Sequence, residues 1–271
     1  MSNGHPSSGG DRSSHPGGAH ELGQNFLVDR STIENIVRLV GRTSGPVVEF
    51  CPGRGAVTLP LSESGRRITA VELDPRHAAR LRKRVGDEVR VVRDDVLRFP
   101  LPRHAYTLVG NLPFHLTTAV LRRILAAGHW NTAVLIVQWE VARRRAGVGG
   151  ASMLTASWWP WYEFELHRRV PAGSFRPVPS VDAGLLTIHR RPHPLVEGRT
   201  EYQRFVKRVF TGPGRGLARI LSRTGYAPRT GIARELRRRG IPPEALPKEL
   251  NATQWARLWE VISSPPPRDR G

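Results

Sequence analysis

Val47-Val48-Glu49-Phe50-Cys51-Pro52-Gly53-Arg54-Gly55 reads as a short apolar strand running into a glycine turn, with a helix expected from Ala56 to about Ser64. Glycine adopts positive φ without a Cβ penalty, so a strand, glycine turn and helix bring backbone close to a ligand. The next apolar run, Ile68-Thr69-Ala70-Val71, ends in Glu72-Leu73-Asp74. Glu72 lies 23 residues beyond Glu49, near the roughly 20-residue offset at which an acid takes ribose hydroxyls in doubly wound folds. The turn alone decides little. Coupled to an acid at the end of the following strand, it points to a ligand at the carboxyl edge of a parallel sheet.

The alternation continues outward from there. His77 to Val85 reads as a helix, Val89-Arg90-Val91-Val92 as a third strand, and Tyr106 to Gly110 as a fourth. Asp94 and Asp95 follow the third strand, where one can accept from an adenine amine while the other caps or faces solvent. Thr117 to about Ala127 carries Val120, Leu121, Ile124 and Leu125 on one helical face, with Arg122 and Arg123 outside. Thr132 to Trp139 is apolar enough for a central strand, and Tyr162 to Arg169 and Ala183 to Arg190 form a final antiparallel pair.

The fourth strand leads into Asn111-Leu112-Pro113-Phe114. Asn111 offers a side-chain oxygen to an exocyclic amine, and Pro113 lacks an N–H, so the backbone around Leu112 presents acceptors. Phe114 can stack on a flipped base. A strand-ending turn accounts for the same residues, and this stretch alone leaves both readings open.

Composition narrows the partners. The 271 residues carry 42 Lys and Arg against 23 Asp and Glu, a formal charge of +19, which suits nucleic acid. Only three of the basic residues are lysines, a skew that a GC-rich genome produces without selection for RNA. One cysteine, Cys51, excludes an internal disulfide framework and a cysteine-rich zinc site. The ten histidines show no ligand spacing, so no metal is expected. No apolar run reaches the roughly 18 residues of a membrane span, and the start has no signal-peptide core; a soluble cytoplasmic protein is expected.

The expected organisation has four parts. Residues 1–19 are rich in Ser, Gly, His and Pro and form a disordered tail. Residues 20–191 form the catalytic domain, in which Asp29 or Ser31 caps a helix bearing Ile33, Ile36, Val37 and Val40. After Pro192-His193-Pro194, residues 192–263 form a small helical domain with segments at Tyr202 to Phe210, Leu217 to Ser222, Gly231 to Arg239 and Ala252 to Ile262. Residues 264–271 form a second disordered tail. From Arg190 onward there are 18 Lys and Arg against 7 Asp and Glu, so this end contributes +11 of the +19. Gly212-Pro213-Gly214-Arg215-Gly216 is either a phosphate-approaching loop or a helix break.

Three further segments bear on function. Glu140 to Gly150, with Arg143-Arg144-Arg145 and three glycines, is expected as a mobile loop holding RNA phosphates, against a solvated helix end. Trp158, Trp159 and Trp161 are expected to pack. Phe175-Arg176-Pro177-Val178-Pro179-Ser180-Val181 is a proline-stiffened loop, whose phenylalanine is either an exposed second stacking platform or a hydrophobic plug.

Strands alternating with helices and ending in an antiparallel pair suggest a methyltransferase sheet. Leu22 to Asp29, Glu49 to Gly55, Glu72, Asp95-Val96-Leu97, Asn111 to Phe114 and Phe175 to Val181 together resemble the ribosomal RNA adenine N6-methyltransferases. His20 to Asn25 and Gln138 to Gly147 look like the macrolide-lincosamide-streptogramin B resistance (Erm-type) branch, which methylates one adenine of 23S RNA near the peptidyl transferase centre. The resemblance implies a Rossmann-like class I α/β sheet of seven strands with its last pair antiparallel. It also implies S-adenosylmethionine as cofactor and 23S rRNA, free or as an assembly precursor, as partner of a monomer. It puts Asn25 and Leu27 against the methionine end of the cofactor and Cys51, Gly53 and Gly55 in the turn around it. Glu72 falls to the ribose, Asp95 to the adenine amine and Asn111 to the reaction centre. Asn111, Leu112 and Pro113 then hold the acceptor adenine, clamped by Phe114 and Phe175.

One departure stands out. The family usually has glycine where this chain has Cys51, so its backbone is expected in a conformation open to a Cβ, further narrowed by Pro52. Two rivals to the resistance branch share the core motifs: a small-subunit 16S rRNA dimethyladenosine transferase, and a non-catalytic nucleic-acid-binding member of the fold.

Overall fold

A computed structural model describes residues 24–226 and 231–263. The two expected tails and His20 to Gly23 of the family-like start lie outside the described residues.

The chain begins with β1 (Phe26–Leu27) and α1 (Arg30–Gly41). Asp29 is the cap: its carboxylate accepts from the Thr32 amide at 2.8 Å, while Ser31 donates to that same carboxylate. There follow β2 (Val47–Phe50), α2 (Thr58–Ser62), β3 (Ile68–Glu72), α3 (Pro75–Arg82), β4 (Val89–Arg93), β5 (Tyr106–Asn111) and α4 (Thr117–Ala126). Helix α2 starts later than expected because Gly53 and Gly55 hold φ at 55° and 82°, which delays helical bonding. The chain continues through β6 (Trp130–Gln138), α5 (Trp139–Arg145), α6 (Met153–Trp158), β7 (Tyr162–Val170), β8 (Phe175–Arg176) and β9 (Ala183–Arg190). Four helices end it: α7 (Arg199–Thr211), α8 (Leu217–Arg223), α9 (Ile232–Arg238) and α10 (Ala252–Ser263).

Seven strands form one sheet in the order β4-β3-β2-β5-β6-β9-β7. Neighbours from β4 through β6 are parallel, and β9 runs antiparallel to both β6 and β7. The order reverses between β2 and β5, so the crevice beyond their carboxyl ends is where a doubly wound sheet binds its ligand. Cys51 follows β2, and Asn111 ends β5.

Burial explains why these strands read as continuous apolar runs. Phe50, Leu108, Leu121, Trp130 and Leu135 pack on one face of the sheet, and Ile36, Ala70, Val109, Ile136 and Leu185 on the other. The C-terminal helices close a third cluster around Tyr202, Phe205, Trp255 and Leu258, which also takes in Ala151, Ala156 and Trp159. Trp158 and Trp159 are buried, as packing residues should be.

Within the segment from Glu140 to Gly150 the sequence reading is corrected at Arg145, while Arg144 is exposed. Residues Trp139–Arg145 are helical, and Arg145 is 8% exposed, bonded to the hydroxyls of Ser152 and Thr155. Burial, then the charges of Arg122 and Arg144, pull its pKa down to about 10. Hydroxyl partners inside the fold, not phosphates, engage one terminal nitrogen of this guanidinium, and its buried Nε has no partner among the described residues.

Candidate active site

The antiparallel pairing of β1 with β8, Phe26 opposite Arg176 and Leu27 opposite Phe175, carries the N-terminal segment across the carboxyl edge of the sheet. There it walls a narrow cleft. Asn25, Cys51 and Gly53 stand on one side and Asn111 to Phe114 on the other, with Gln24 and Phe26 completing the wall.

The Asn111 amide nitrogen donates to the Asn25 carbonyl at 2.8 Å. That bond identifies which end of the amide is nitrogen and leaves Oδ1 as an acceptor. The Leu112 amide donates to the Ile136 carbonyl at 3.1 Å, while no hydrogen bond among the described residues uses the Leu112 carbonyl. The Pro113 carbonyl is taken by the Leu116 amide at 2.9 Å. Two acceptors, Asn111 Oδ1 and the Leu112 carbonyl, therefore remain for an amine with two hydrogens. Phe114 is half-buried beside them.

Opposite lies the glycine turn. A Cβ on Gly53 would come within 2.8 Å of the Phe26 ring, so only glycine fits beneath it. The Gly53 amide donates to Glu72 Oε2 at 2.9 Å, and the Asp74 amide donates to Glu72 Oε1 at 2.9 Å. Glu72 thus ties the turn after β2 to the turn after β3, and it is buried. Asp95 Oδ1 accepts from the Leu97 amide at 2.8 Å, whereas the Asp94 carboxylate accepts from the Asp95 amide at 2.7 Å. Burial pushes the Cys51 thiol up, and the charges of Glu72, Glu49 and Asp95 push it in the same direction. The turn is therefore edged by three acids in a chain of net charge +19.

Cys51 itself departs from expectation. Its φ is 58°, the left-handed region, and it is the only non-glycine residue there among the described residues. The backbone is not one that welcomes a Cβ; it costs an L-residue about 1–2 kcal/mol. The turn keeps a glycine-like path because β2, Gly53 and the Gly53–Glu72 bond constrain both of its ends.

Four other sequence expectations sort by position. Phe175 is fully buried in the core with Leu27 and Leu185, so the exposed stacking platform is corrected to a hydrophobic plug. Strand pairing with β1 is the reason, because it turns the ring inward. The Leu27 side chain is likewise buried in that cluster, away from the cleft. Gly55 makes room for Leu81 of α3 instead of lining the cleft. Neither Glu72 nor Asp95 lines the cleft itself; they stand behind the glycine turn and at the end of β4.

Gln24, Phe26 and Glu49 escaped the sequence reading of the site. Glu49 is 3% exposed with Oε2 unpaired, and burial, reinforced by Glu72, raises its pKa to about 7. A signal was present, since an acid inside a wholly apolar buried strand is rarely incidental.

The residues present fit S-adenosylmethionine. Carboxylates at the ends of β3 and β4 suit the hydroxyl and amine donors of a nucleoside, and the acid-edged turn suits a group bearing positive charge. Among the described residues no cluster of three or more His, Cys, Asp or Glu is arranged to hold a metal. None of their helices is long and apolar enough to cross a membrane.

A seven-stranded sheet of this order, with its site at the switch point between β2 and β5, defines a class I methyltransferase. The ribosomal RNA adenine dimethylase family matches residues 18–264. The chain is 50% identical to the mycinamicin-resistance protein MyrB of Micromonospora griseorubida over 94% of its own length and 83% of that protein. To the rRNA adenine N-6-methyltransferase of Corynebacterium diphtheriae it is 51% identical over 77% of its length and 83% of that protein. Its structure matches that of the 23S rRNA methyltransferase ErmE with a TM-score of 0.82 at 34% identity, covering 89% of this chain and 100% of the other. The chain belongs to the ribosomal RNA adenine dimethylase family and is a methyltransferase.

Proposed function

We propose that this protein methylates N6 of a single adenine in the peptidyl transferase loop of 23S rRNA, once or twice, and so confers resistance to macrolides, lincosamides and streptogramin B. The observation that carries the chemistry is the Asn111–Asn25 bond, which leaves Asn111 Oδ1 and the Leu112 carbonyl as paired acceptors. The large-subunit target rests on the likeness to MyrB and ErmE, one named for mycinamicin resistance and the other for 23S rRNA.

In this reading Glu72 holds the cofactor ribose, Asp95 the adenine amine, and Asn25, Cys51 and Gly53 the methionine end. When bound, S-adenosylmethionine supplies a methyl group on a sulfonium, an electrophile that needs little activation. The protein's task is to position the nucleophile for in-line attack. Adenine N6 shares its lone pair with the ring; hydrogen bonds from both amine hydrogens to Asn111 Oδ1 and the Leu112 carbonyl favour a tetrahedral amine with that pair directed outward. Phe114 stacks on the extruded base. The proton leaves N6 after transfer, to solvent. Methylation removes an N6 donor and adds bulk where a drug approaches, so drug binding falls.

Residues 192–263 form the RNA-binding unit in this account, through the arginine excess of α7 to α9, and the protein works as a cytoplasmic monomer on free or assembling RNA. The test is transfer of labelled methyl from S-adenosylmethionine to protein-free large-subunit RNA, with small-subunit RNA and 30S particles in parallel. Label in the large-subunit RNA alone, at one adenine by primer extension, is the expected result. Label confined to 30S particles would move the enzyme to the small-subunit branch, and RNA binding without label would leave a non-catalytic protein.

A further inference from the structure

A second cleft opens at the same carboxyl edge of the sheet, walled by Gln138, Trp139 and Glu140 on one side and Ser180 and Val181 on the other. Its place is set by strand pairing. Asn111 of β5 pairs with Ile136 of β6, Gln138 of β6 pairs with Ala183 of β9, and the Trp139 amide donates to the Asp182 carbonyl at 2.9 Å. Strands lie about 4.8 Å apart, so this cleft sits one to two strand spacings, roughly 5–10 Å, from the catalytic loop.

The chemistry of its walls is that of a nucleobase site. Trp139 is half-buried, with the Arg169 guanidinium over its ring at 5.4 Å. Arg169 is held there by Asp182 at 2.6 Å, so the guanidinium stays against one face of the ring. Asp182 is already engaged, its other oxygen accepting from the Ala172 amide at 2.8 Å. The Gln138 amide and the Ser180 hydroxyl make no hydrogen bond among the described residues and border the cleft. Val181 is 44% exposed at the rim. A flat aromatic surface edged by an uncommitted amide, which both donates and accepts, suits a base and its Watson–Crick edge.

We propose that this cleft binds the nucleotide next to the target adenine in the unpaired RNA strand, with Trp139 as its stacking platform and Gln138 reading its edge. The inference rests on the RNA-adenine reading above and assigns part of its sequence preference to residues outside the catalytic loop. Flipping the adenine unstacks its neighbour, and the second cleft receives that neighbour's exposed face.

The test uses the full chain, S-adenosylmethionine and a synthetic RNA hairpin presenting one acceptor adenine in its loop, intact or with the 5′ or 3′ neighbour made abasic. Trp139→Ala is expected to lower kcat/KM on intact RNA about tenfold or more, and to add less than about twofold to the loss on one of the two abasic RNAs. Trp139→Phe, which keeps a ring, should restore most of the intact-RNA rate, and Gln138→Ala should change the preference among the four bases at that neighbour. Equal fractional losses for Trp139→Ala on all three RNAs, with Gln138→Ala leaving base preference unchanged, would overturn the subsite. No transfer by the unsubstituted protein to any of the three would overturn the RNA-adenine reading and this inference with it.

Discussion

The side-chain amide of Asn111 donates to the backbone carbonyl of Asn25 at 2.8 Å, across 86 residues of chain. This one bond joins β1, which would otherwise be held at the cleft by its pairing with β8, to the end of β5. It also spends one of the amide's two donors on protein and keeps its acceptor for a ligand. Asn111 thus shapes the cleft and completes its chemistry.

Replacing Asn111 with alanine should separate those two roles. Loss of a positioned polar group at a reacting centre lowers kcat by about 100-fold or more, whereas loss of one hydrogen bond lowers stability by only about 0.5–1.5 kcal/mol. Single-turnover methyl transfer and denaturant unfolding read the two effects. A rate within a few-fold of the unsubstituted enzyme would remove Asn111 from the reaction.

At Cys51 the usual ranking of alanine over glycine should invert. The left-handed φ of 58° penalises any Cβ, by about 1–2 kcal/mol, against about 0.5–1 kcal/mol of extra chain entropy for glycine. Cys51→Gly is expected to unfold at higher denaturant than Cys51→Ala, by a margin on the order of 0.5–1 kcal/mol, and to retain methyl transfer. A higher midpoint for Cys51→Ala, by the chain-entropy difference alone, would show that the turn carries no strain.

Glu49 should make stability fall as pH rises. Its folded pKa, near 7, lies above the ordinary carboxylate value of 4.5 because the charged form is buried beside Glu72. The folded state therefore binds the extra proton between those values. Its contribution is fully present below about pH 4.5, is lost progressively as pH rises through 7, and is flat above. Glu49→Gln should flatten this portion of the pH–stability curve and raise stability at pH 8 relative to the unsubstituted chain. An unchanged slope between pH 4.5 and 7 would contradict the assignment.

The two aromatic residues of the expected base clamp should behave differently. Phe175 is fully buried, so Phe175→Ala should cost about 3–5 kcal/mol of stability through cavity formation. Phe114 borders the cleft, and Phe114→Ala should lower kcat/KM for RNA by about tenfold or more, the worth of one stacked base, with a much smaller loss of stability. Thermal unfolding and RNA kinetics on both variants check the division.

The sheet was legible because its strands are buried on both faces, so Val47 to Phe50 and Thr132 to Val137 read as unbroken apolar runs. The glycine turn and the acid after β3 were legible because each needs a particular residue type at a fixed chain distance. What escaped depended on pairing between remote segments. Nothing local to Phe175 shows that β1 will pair with β8 and turn the ring inward, and nothing local to Arg145 shows that Ser152 and Thr155 will enclose its guanidinium. Glu49 was the reverse case, a local signal passed over.

Nucleoside analysis of large-subunit RNA after reaction with S-adenosylmethionine tests the account most directly. The RNA is digested to nucleosides and each methylated species is identified and mapped by mass spectrometry, for the unsubstituted enzyme and for Asn111→Ala. The account predicts N6-methyl- or N6,N6-dimethyladenosine at one position in the peptidyl transferase loop, absent with Asn111→Ala. Methylation at another atom or another base, or an unchanged N6 product from Asn111→Ala, would contradict it.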